Sequence, residues 1–90
     1  MPKVELFTSG MCGYCVAAKN LLVSQGLAYE EIRVDRDPAL RQAMAERAHG
    51  HRSVPQIFID GRHVGGYDAL LALARAGGLP KPEQNRDEEP

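Results

Sequence analysis

The chain has 90 residues, which is enough for one small domain with a single core. Hydrophobic residues make up 43% of it and charged residues 26%, as in an average globular protein, which excludes a wholly disordered or fibrous chain. Eleven basic and twelve acidic side chains leave a net charge of −1. This balance gives no electrostatic footprint for nucleic acid or an anionic membrane, so we expect neither as a partner.

The sequence carries no signal for membrane insertion or export. No apolar run approaches the roughly 20 residues of a membrane-spanning helix, and the first residues lack the apolar segment of a signal peptide. We therefore expect a soluble protein of the cytoplasm. A reducing cytoplasm tends to keep structural cysteine pairs open, so the only two cysteines, Cys12 and Cys15, need another explanation.

The amino-terminal part of the chain predicts a strand, a loop and a helix. Residues 4–7 are mostly apolar and predict a short strand, and residues 8–11 predict a loop. The apolar residues that follow have the spacing of a helix that buries one face. They are Tyr14, Ala17, Ala18, Leu21 and Leu22. Gly26 stands where a residue with positive φ would end this helix.

A second strand and a second helix follow. Residues 29–34 alternate well enough to predict a strand. Asp37 followed by Pro38 is typical of a helix start, because an acidic N-cap accepts backbone hydrogen bonds and proline fits the first turn. Apolar residues at positions 40, 43, 44 and 48 continue this helix to about Gly50.

The carboxyl-terminal part predicts a hairpin, a third helix and a tail. Residues 56–59 predict a third strand, and the two-residue hairpin signal Asp60-Gly61 returns the chain through a fourth strand at residues 62–64. Leucines at positions 70, 71 and 73 mark a third helix, which glycines at 77 and 78 end. Residues 80–90 are polar or charged apart from proline, and we expect them to form a disordered tail.

The order of elements is therefore β-α-β-α-β-β-α, which predicts an α/β fold with three helices on a four-stranded mixed sheet. The motif Cys12-Gly13-Tyr14-Cys15 falls between the first strand and the first helix. Open α/β sheets usually place their sites at this position, at the carboxyl end of a strand. The motif is therefore the first candidate for a functional site.

The two cysteines occupy unequal places on the predicted helix. A cysteine at a helix start faces unpaired N–H groups and the positive end of the helix dipole, which favour thiolate over thiol. Cys12 lies at this point and Cys15 one turn inside, so we expect Cys12 to attack and Cys15 to resolve the adduct. A CxxC motif near a βαβ pattern favours this redox interpretation, with two unreactive cysteines as the alternative.

A zinc site is another interpretation of the same cysteines. Structural zinc takes four ligands, and the chain offers Cys12 and Cys15 together with His49, His51 and His63. One residue between the first two histidines is fewer than the usual three to five. Solvated loop or edge positions explain the histidines better, and we predict no zinc site.

Two further segments border predicted elements. Ser53-Val54-Pro55 comes just before the third strand, where proline removes no ladder hydrogen bond. Gly65-Gly66-Tyr67-Asp68 opens the third helix; it is a plain turn in one interpretation and a carboxylate-binding helix start in the other. Tyr14 fits the apolar stripe, yet between two cysteines it would also lie beside any bound ligand.

Together these motifs resemble the glutaredoxin family over about residues 3–79. Dithiol members have Pro, Ser or Gly and then Tyr between the two cysteines, T-V-P before the third strand and G-G-x-D at the third helix. The matching segments here are Cys12-Gly13-Tyr14-Cys15, Ser53-Val54-Pro55-Gln56 and Gly65-Gly66-Tyr67-Asp68. Three motifs in this order are specific, and small bacterial dithiol members are the most similar.

The resemblance implies a thioredoxin-like fold over residues 1–79, with a cis bond between Val54 and Pro55. It implies an enzyme that uses glutathione to reduce protein–glutathione mixed disulfides and protein disulfides. Cys12 would join the glutathionyl sulfur and Cys15 would complete the dithiol. The residues implied to bind glutathione are Tyr14, Ser53, Val54, Pro55, Gly66, Tyr67 and Asp68.

Gly13 keeps a different class of function open. Glutaredoxins with Gly or Ser at this place include members that hold a [2Fe-2S] cluster between two protomers, with two glutathiones. In that role Cys12 would ligate the cluster, and a monomer would become a cluster-bridged dimer that acts as a cluster carrier or sensor. A redoxin reduced by thioredoxin reductase is a third interpretation, which the helix start at Gly66 disfavours.

The chain also differs from many glutaredoxins before the motif. Ser9 stands where many relatives have Lys, three residues before the first cysteine.

Overall fold

The computed structural model describes residues 2–81 and contains four strands and three helices in this range. The strands are β1 (Val4–Thr8), β2 (Glu30–Arg33), β3 (Gln56–Ile59) and β4 (Arg62–Gly65). The helices are α1 (Gly13–Ser24), α2 (Pro38–Arg47) and α3 (Tyr67–Arg75). This order confirms the predicted fold class. The predicted tail from position 82 onward lies outside the described residues.

The sheet is mixed, with the strand order β2-β1-β3-β4. β1 runs parallel to β2 and antiparallel to β3, which pairs antiparallel with β4. Because β1 and β2 are parallel, the chain must cross back between them, and α1 makes this crossover. The start of α1 therefore lies at the carboxyl end of a central strand, which is where the CxxC motif falls. None of the helices within residues 2–81 is long and apolar enough to cross a membrane.

Alternation along the central strands divides the core into two layers. One layer lies beneath α1 and α3, and its buried members are Val4, Leu6, Ala18, Leu22, Leu27, Ile57 and Leu70. The other lies beneath α2, and its buried members are Phe7, Val34, Met44, Ala48 and Phe58. The rings of Phe7 and Phe58 meet edge to face with centroids 5.5 Å apart. The sheet is thus covered on both faces.

The helix and turn signals are confirmed at three places. Gly26 has φ 72° and follows α1, and the next N–H group, that of Leu27, donates back to the carbonyl of Leu22 at 3.0 Å. The carboxylate of Asp37 caps α2 by accepting from the Ala39 N–H at 2.9 Å. The hairpin residues at 60 and 61 both have positive φ, as a type I′ turn requires.

Several boundaries differ from the prediction. Thr8 was expected in a loop but ends β1, where it is fully buried. Val34 was expected in the second strand but begins a single 3₁₀ turn, Val34–Arg36. α2 ends at Arg47 rather than near Gly50, because His49 adopts φ 57° in the left-handed region and stops the helix.

α1 also buries a different residue in its first turn. Its buried side chains are Cys15, Ala18 and Leu22, whereas Tyr14 is 66% exposed. The prediction that Tyr14 belongs to the core stripe is therefore wrong. Its ring stacks on that of Tyr67 with centroids 6.0 Å apart, so it packs across to α3 while its hydroxyl remains free to meet water.

Candidate active site

The amino-terminal end of α1 presents the sulfur of Cys12 to the helix backbone. Met11 has φ 54°, and the chain then enters an extended Cys12 that serves as the N-cap. The Sγ of Cys12 accepts a hydrogen bond from the Cys15 N–H at 3.2 Å, in the position where an N-cap oxygen usually accepts. An N–H donor and the helix dipole both favour negative charge on this sulfur. The structure therefore places the Cys12 sulfur at the helix start, where the sequence predicts the attacking cysteine.

Cys15 has a different environment. Its side chain is buried, with 2% exposure, and both cysteines are free thiols in this structure. Burial, together with the hydrogen bond to Cys12, raises the pKa of the Cys15 thiol to about 11. At neutral pH Cys15 therefore holds its proton. The two thiols differ in burial, with Cys12 the more exposed of the two, as the sequence predicts.

The loop before Cys12 is held by the carboxylate of Asp35, which lies in the 3₁₀ turn after β2. Asp35 accepts from the Gly10 N–H at 3.0 Å and from the guanidinium of Arg33 at 2.9 and 2.7 Å. These donors hold the pKa of the Asp35 carboxyl well below its ordinary value, with the Arg33 contact as the larger cause. A Cβ on Gly10 would come within 2.8 Å of the guanidinium, so this glycine permits the close approach. Sequence reasoning missed this contact.

An open cleft of about 580 Å³ begins beside the cysteines. Its wall includes all seven residues that the sequence implied for glutathione: Tyr14, Ser53, Val54, Pro55, Gly66, Tyr67 and Asp68. The peptide bond between Val54 and Pro55 is cis, as the resemblance implied. The Sγ of Cys12 lies 3.9 Å from the Val54 carbonyl, which accepts its S–H. Residues from three distant parts of the chain therefore meet at one cleft next to Cys12.

The start of α3 supplies unpaired donors to this cleft. Gly66 is the N-cap and has no side chain with which to cap the helix. The first N–H groups of a helix have no partners within it, so this end suits a carboxylate. Asp68 lies in the first turn and is exposed. The end thus offers backbone donors and one carboxylate acceptor within a short distance along the chain.

Three polar side chains that the sequence analysis had not assigned to the cleft also line it, namely His51, Gln56 and His63. The sequence placed both histidines at solvated loop or edge positions. Within residues 2–81, no group of three or more His, Cys, Asp or Glu side chains comes together to hold a metal ion. His49 and His63 do meet, with their Nδ1 atoms 3.1 Å apart. The sequence carries no local signal for this meeting, because His49 lies in the turn after α2 and His63 lies on β4.

Comparisons with known proteins agree with this geometry. The glutaredoxin family model matches residues 4–64. Glutaredoxin 3 of Escherichia coli K12 is 47% identical over 79 residues, covering 88% of this chain and 94% of that protein. A probable glutaredoxin of Synechocystis is 47% identical over 77 residues, covering 86% and 88%.

Solved structures give the same result for the fold. A buckwheat glutaredoxin, crystallised as a complex with glutathione, superposes with a TM-score of 0.77 at 34% identity, covering 84% of this chain and 71% of that one. The thioredoxin-like fold is thereby confirmed, and the CxxC spacing agrees with thiol–disulfide chemistry. The chain belongs to the glutaredoxin family, whose members are glutathione-dependent thiol–disulfide oxidoreductases.

Proposed function

We propose that this protein binds the glutathionyl group of its substrates in the cleft beside Cys12 and uses free glutathione as reductant. The observation that carries the proposal is the 3.9 Å contact between the Cys12 sulfur and Val54, a residue of the cleft wall. A tripeptide in the cleft would have its sulfur close to the one thiol that is favoured as an anion. The glutathione complex of the buckwheat relative supports this choice of ligand.

The cleft offers partners for the cysteinyl backbone of glutathione and for the carboxylate and ammonium of its γ-glutamyl residue. The Val54 N–H donates to no backbone carbonyl within residues 2–81, so it remains available to pair with an extended peptide. The γ-glutamyl carboxylate would accept from the first N–H groups of α3 after Gly66, and the adjacent ammonium would bind the carboxylate of Asp68. Tyr14 and Tyr67 would flank the peptide, while Ser53 and Pro55 shape the wall around Val54.

The first half-reaction is an exchange of disulfide partners. The Cys12 thiolate attacks the glutathionyl sulfur of a mixed disulfide, the Cys12–glutathione bond forms, and the bond to the substrate breaks. The substrate leaves as a thiolate and takes a proton from water. A glutathione thiolate then attacks the bound glutathionyl sulfur, which releases oxidised glutathione and restores Cys12.

Protein disulfides require the second cysteine. Attack by Cys12 leaves the enzyme joined to one substrate sulfur while the other sulfur departs. Cys15 loses its proton and attacks the Cys12 sulfur, which frees the substrate and forms the Cys12–Cys15 disulfide. Two glutathione molecules then reduce this disulfide and leave as oxidised glutathione. We assign the reaction to the cytoplasm, since a glutathione pool there is reducing.

Among residues 2–81, no observation specifically favours the [2Fe-2S] alternative. Cys12 is the one thiol with access to solvent, because Cys15 is buried. No described group of three or more ligating side chains adds to it. A cluster would therefore need its other ligands from a second chain and from glutathione. The Cβ position of Gly13 is open, so the space around it does not distinguish the two functions.

The electron supply tests the proposal. We expect the purified protein to reduce a glutathionylated peptide with glutathione and glutathione reductase, and to be far slower with thioredoxin reductase. Equal or faster turnover with thioredoxin reductase would contradict the assignment of glutathione as reductant.

Asp68→Asn tests the ligand's position in the cleft. Loss of a charge-assisted hydrogen bond at an exposed site should raise KM for the glutathionylated peptide about tenfold. Asp37→Asn is the matched control, because it removes an acid from the start of α2 while asparagine still caps the helix. Similar KM values in the two variants would remove Asp68 from the proposed site.

A further inference from the structure

A series of side-chain hydrogen bonds connects the end of α2 to the wall of the cleft. Gln56, the first residue of β3, is only 4% exposed, and its Nε2 donates to the Ser53 carbonyl at 3.1 Å. The Oε1 of the same amide lies 2.6 Å from the Nε2 of His63 on β4. The Nδ1 of His63 lies 3.1 Å from the Nδ1 of His49. The first link is local, within three residues, whereas the other two join residues seven and fourteen positions apart.

The chemistry of the amide fixes the direction of every bond in the series. The Gln56 nitrogen is its only donor and is used on Ser53, so the amide oxygen must accept from His63. His63 therefore carries a proton on Nε2. Burial, and then the charges of His49 and His51, lower the pKa of His63, so its ring is neutral at pH 7. The Nδ1 of His63 then accepts, and His49 donates.

The planar peptide group between Ser53 and Val54 extends the effect of the Gln56 hydrogen bond to the cleft. The Ser53 carbonyl and the Val54 N–H belong to one peptide group, and in a trans peptide they point in opposite directions. The Gln56 side chain holds the carbonyl on one side, so the Val54 N–H is held on the other. This N–H is the donor that the proposed function gives to glutathione. The orientation of that donor therefore depends on a side chain that need not touch the ligand.

We propose that Gln56 and His63 are positioning residues, which orient the Ser53–Val54 peptide for glutathione. His63 acts through Gln56: it binds the amide oxygen and so keeps the amide nitrogen on the Ser53 carbonyl. His49 donates to the far side of the imidazole and keeps the ring in the tautomer that this requires. The inference rests on the proposed function, because glutathione is the ligand to which the Val54 N–H would donate.

His63→Phe and His63→Gln form a matched pair of variants. Phenylalanine keeps an aromatic ring against Phe58, whose centroid is 5.0 Å from that of His63, but it cannot donate to Gln56. Glutamine places an amide N–H near the position of Nε2. We expect His63→Phe to raise KM for a glutathionylated peptide about fivefold to tenfold, the scale of one unsatisfied buried partner. His63→Gln should restore KM to within about twofold.

A double variant distinguishes action through Gln56 from direct contact with the ligand. Gln56→Leu should raise KM by a similar factor, and His63→Phe should add nothing in its presence. The alkylation rate of Cys12 by iodoacetamide should stay within about twofold of the wild-type rate in all variants, because the Val54 carbonyl that accepts from the sulfur belongs to the next peptide group. Multiplicative effects in the double variant would show that His63 binds the ligand itself, and would overturn the proposal.

Nuclear magnetic resonance without glutathione provides a separate readout. The backbone amide signal of Val54 should be single in the wild type and in His63→Gln, and shifted or split in His63→Phe. If the wild type does not use glutathione, the proposed function fails while this spectral comparison still stands. If the wild type uses glutathione but His63→Phe keeps the wild-type KM and Val54 signal, with unfolding temperatures matched, the positioning role is refuted.

Discussion

Cys12 and Cys15 differ because each sulfur meets a different part of the helix start. The Cys12 sulfur receives an N–H group and reaches the cleft wall at Val54. Cys15 is buried, and burial in apolar surroundings favours the neutral thiol. In our proposal the more accessible sulfur begins the exchange, and the buried one acts after an adduct has formed beside it. The separate roles proposed for two side chains three residues apart follow from this difference in environment.

Asp35 makes a residue-scale prediction that depends on pH. Its carboxyl has a lowered pKa in the folded protein, so it stabilises the fold above its ordinary pKa of 3.8, and this contribution is lost as the pH falls through the lower folded value. Asp35→Asn should therefore lower the free energy of unfolding equally at pH 7 and pH 5, and less at pH 2. Urea denaturation at these pH values measures the difference.

Arg33→Gln is the control for this prediction, because Arg33 is the main cause of the shift. In its background, Asp35→Asn should have a smaller effect, limited to the contact with the Gly10 N–H. The same effect in both backgrounds would show that the ion pair does not contribute. Faster hydrogen exchange of the Gly10 amide in Asp35→Asn would show that the loop before Cys12 is less firmly held without this carboxylate.

At the scale of elements, Arg47 adds polar contacts with the sheet to the buried packing of α2. Arg47 in its last turn forms a two-pronged ion pair with Glu5 of β1, at 2.8 and 3.2 Å. Its guanidinium also lies over the ring of Phe58 on β3, 4.2 Å from the centroid. The hydrogen bond from Arg47 lowers the pKa of Glu5. A planar, forked cation suits both contacts at once, and this connects α2 to both central strands.

Arg47→Lys tests this attachment. Lysine keeps the charge but loses the fork and the flat face, so we expect the free energy of unfolding to fall by about 1 kcal/mol. The value is modest because the Arg47 side chain is 38% exposed and water screens the pair. Arg36→Lys, on an exposed arginine, should change it by less than about 0.5 kcal/mol. Equal effects in chemical denaturation would refute the element-scale account.

At the scale of the whole molecule, two core layers hold the strands and helices that meet at the cleft. Leu22 is fully buried in the layer beneath α1 and α3, whereas its neighbour Val23 is 64% exposed. Leu22→Ala should lower the free energy of unfolding by ~3 kcal/mol, through lost burial and the cavity left behind. Val23→Ala should change it by less than about 0.5 kcal/mol. Thermal and urea unfolding of both variants would check the difference.

The parts of the molecule that sequence predicts are those that depend on local spacing. Local spacing predicted the helix end at Gly26, the hairpin at residues 60 and 61, and the CxxC motif, because each is specified within a few residues. Two contacts depend on strand pairing and could not be predicted from the sequence. They join Asp35 to Gly10 and Gln56 to His63. The sequence left Tyr14 open between a core position and a place beside a ligand, because helical periodicity does not distinguish a core face from a cleft face in the first turn.

The most direct test of the central claim compares Cys12→Ser with Cys15→Ser on two substrates. Cys12→Ser should lose all activity, since no competent nucleophile remains. Cys15→Ser should still remove glutathione from a glutathionylated peptide, because free glutathione resolves the adduct, but it should lose most reduction of a protein disulfide. Mass spectrometry should find the glutathione adduct on Cys12. Retained activity in Cys12→Ser, or an adduct on Cys15 in the wild type, would contradict the account.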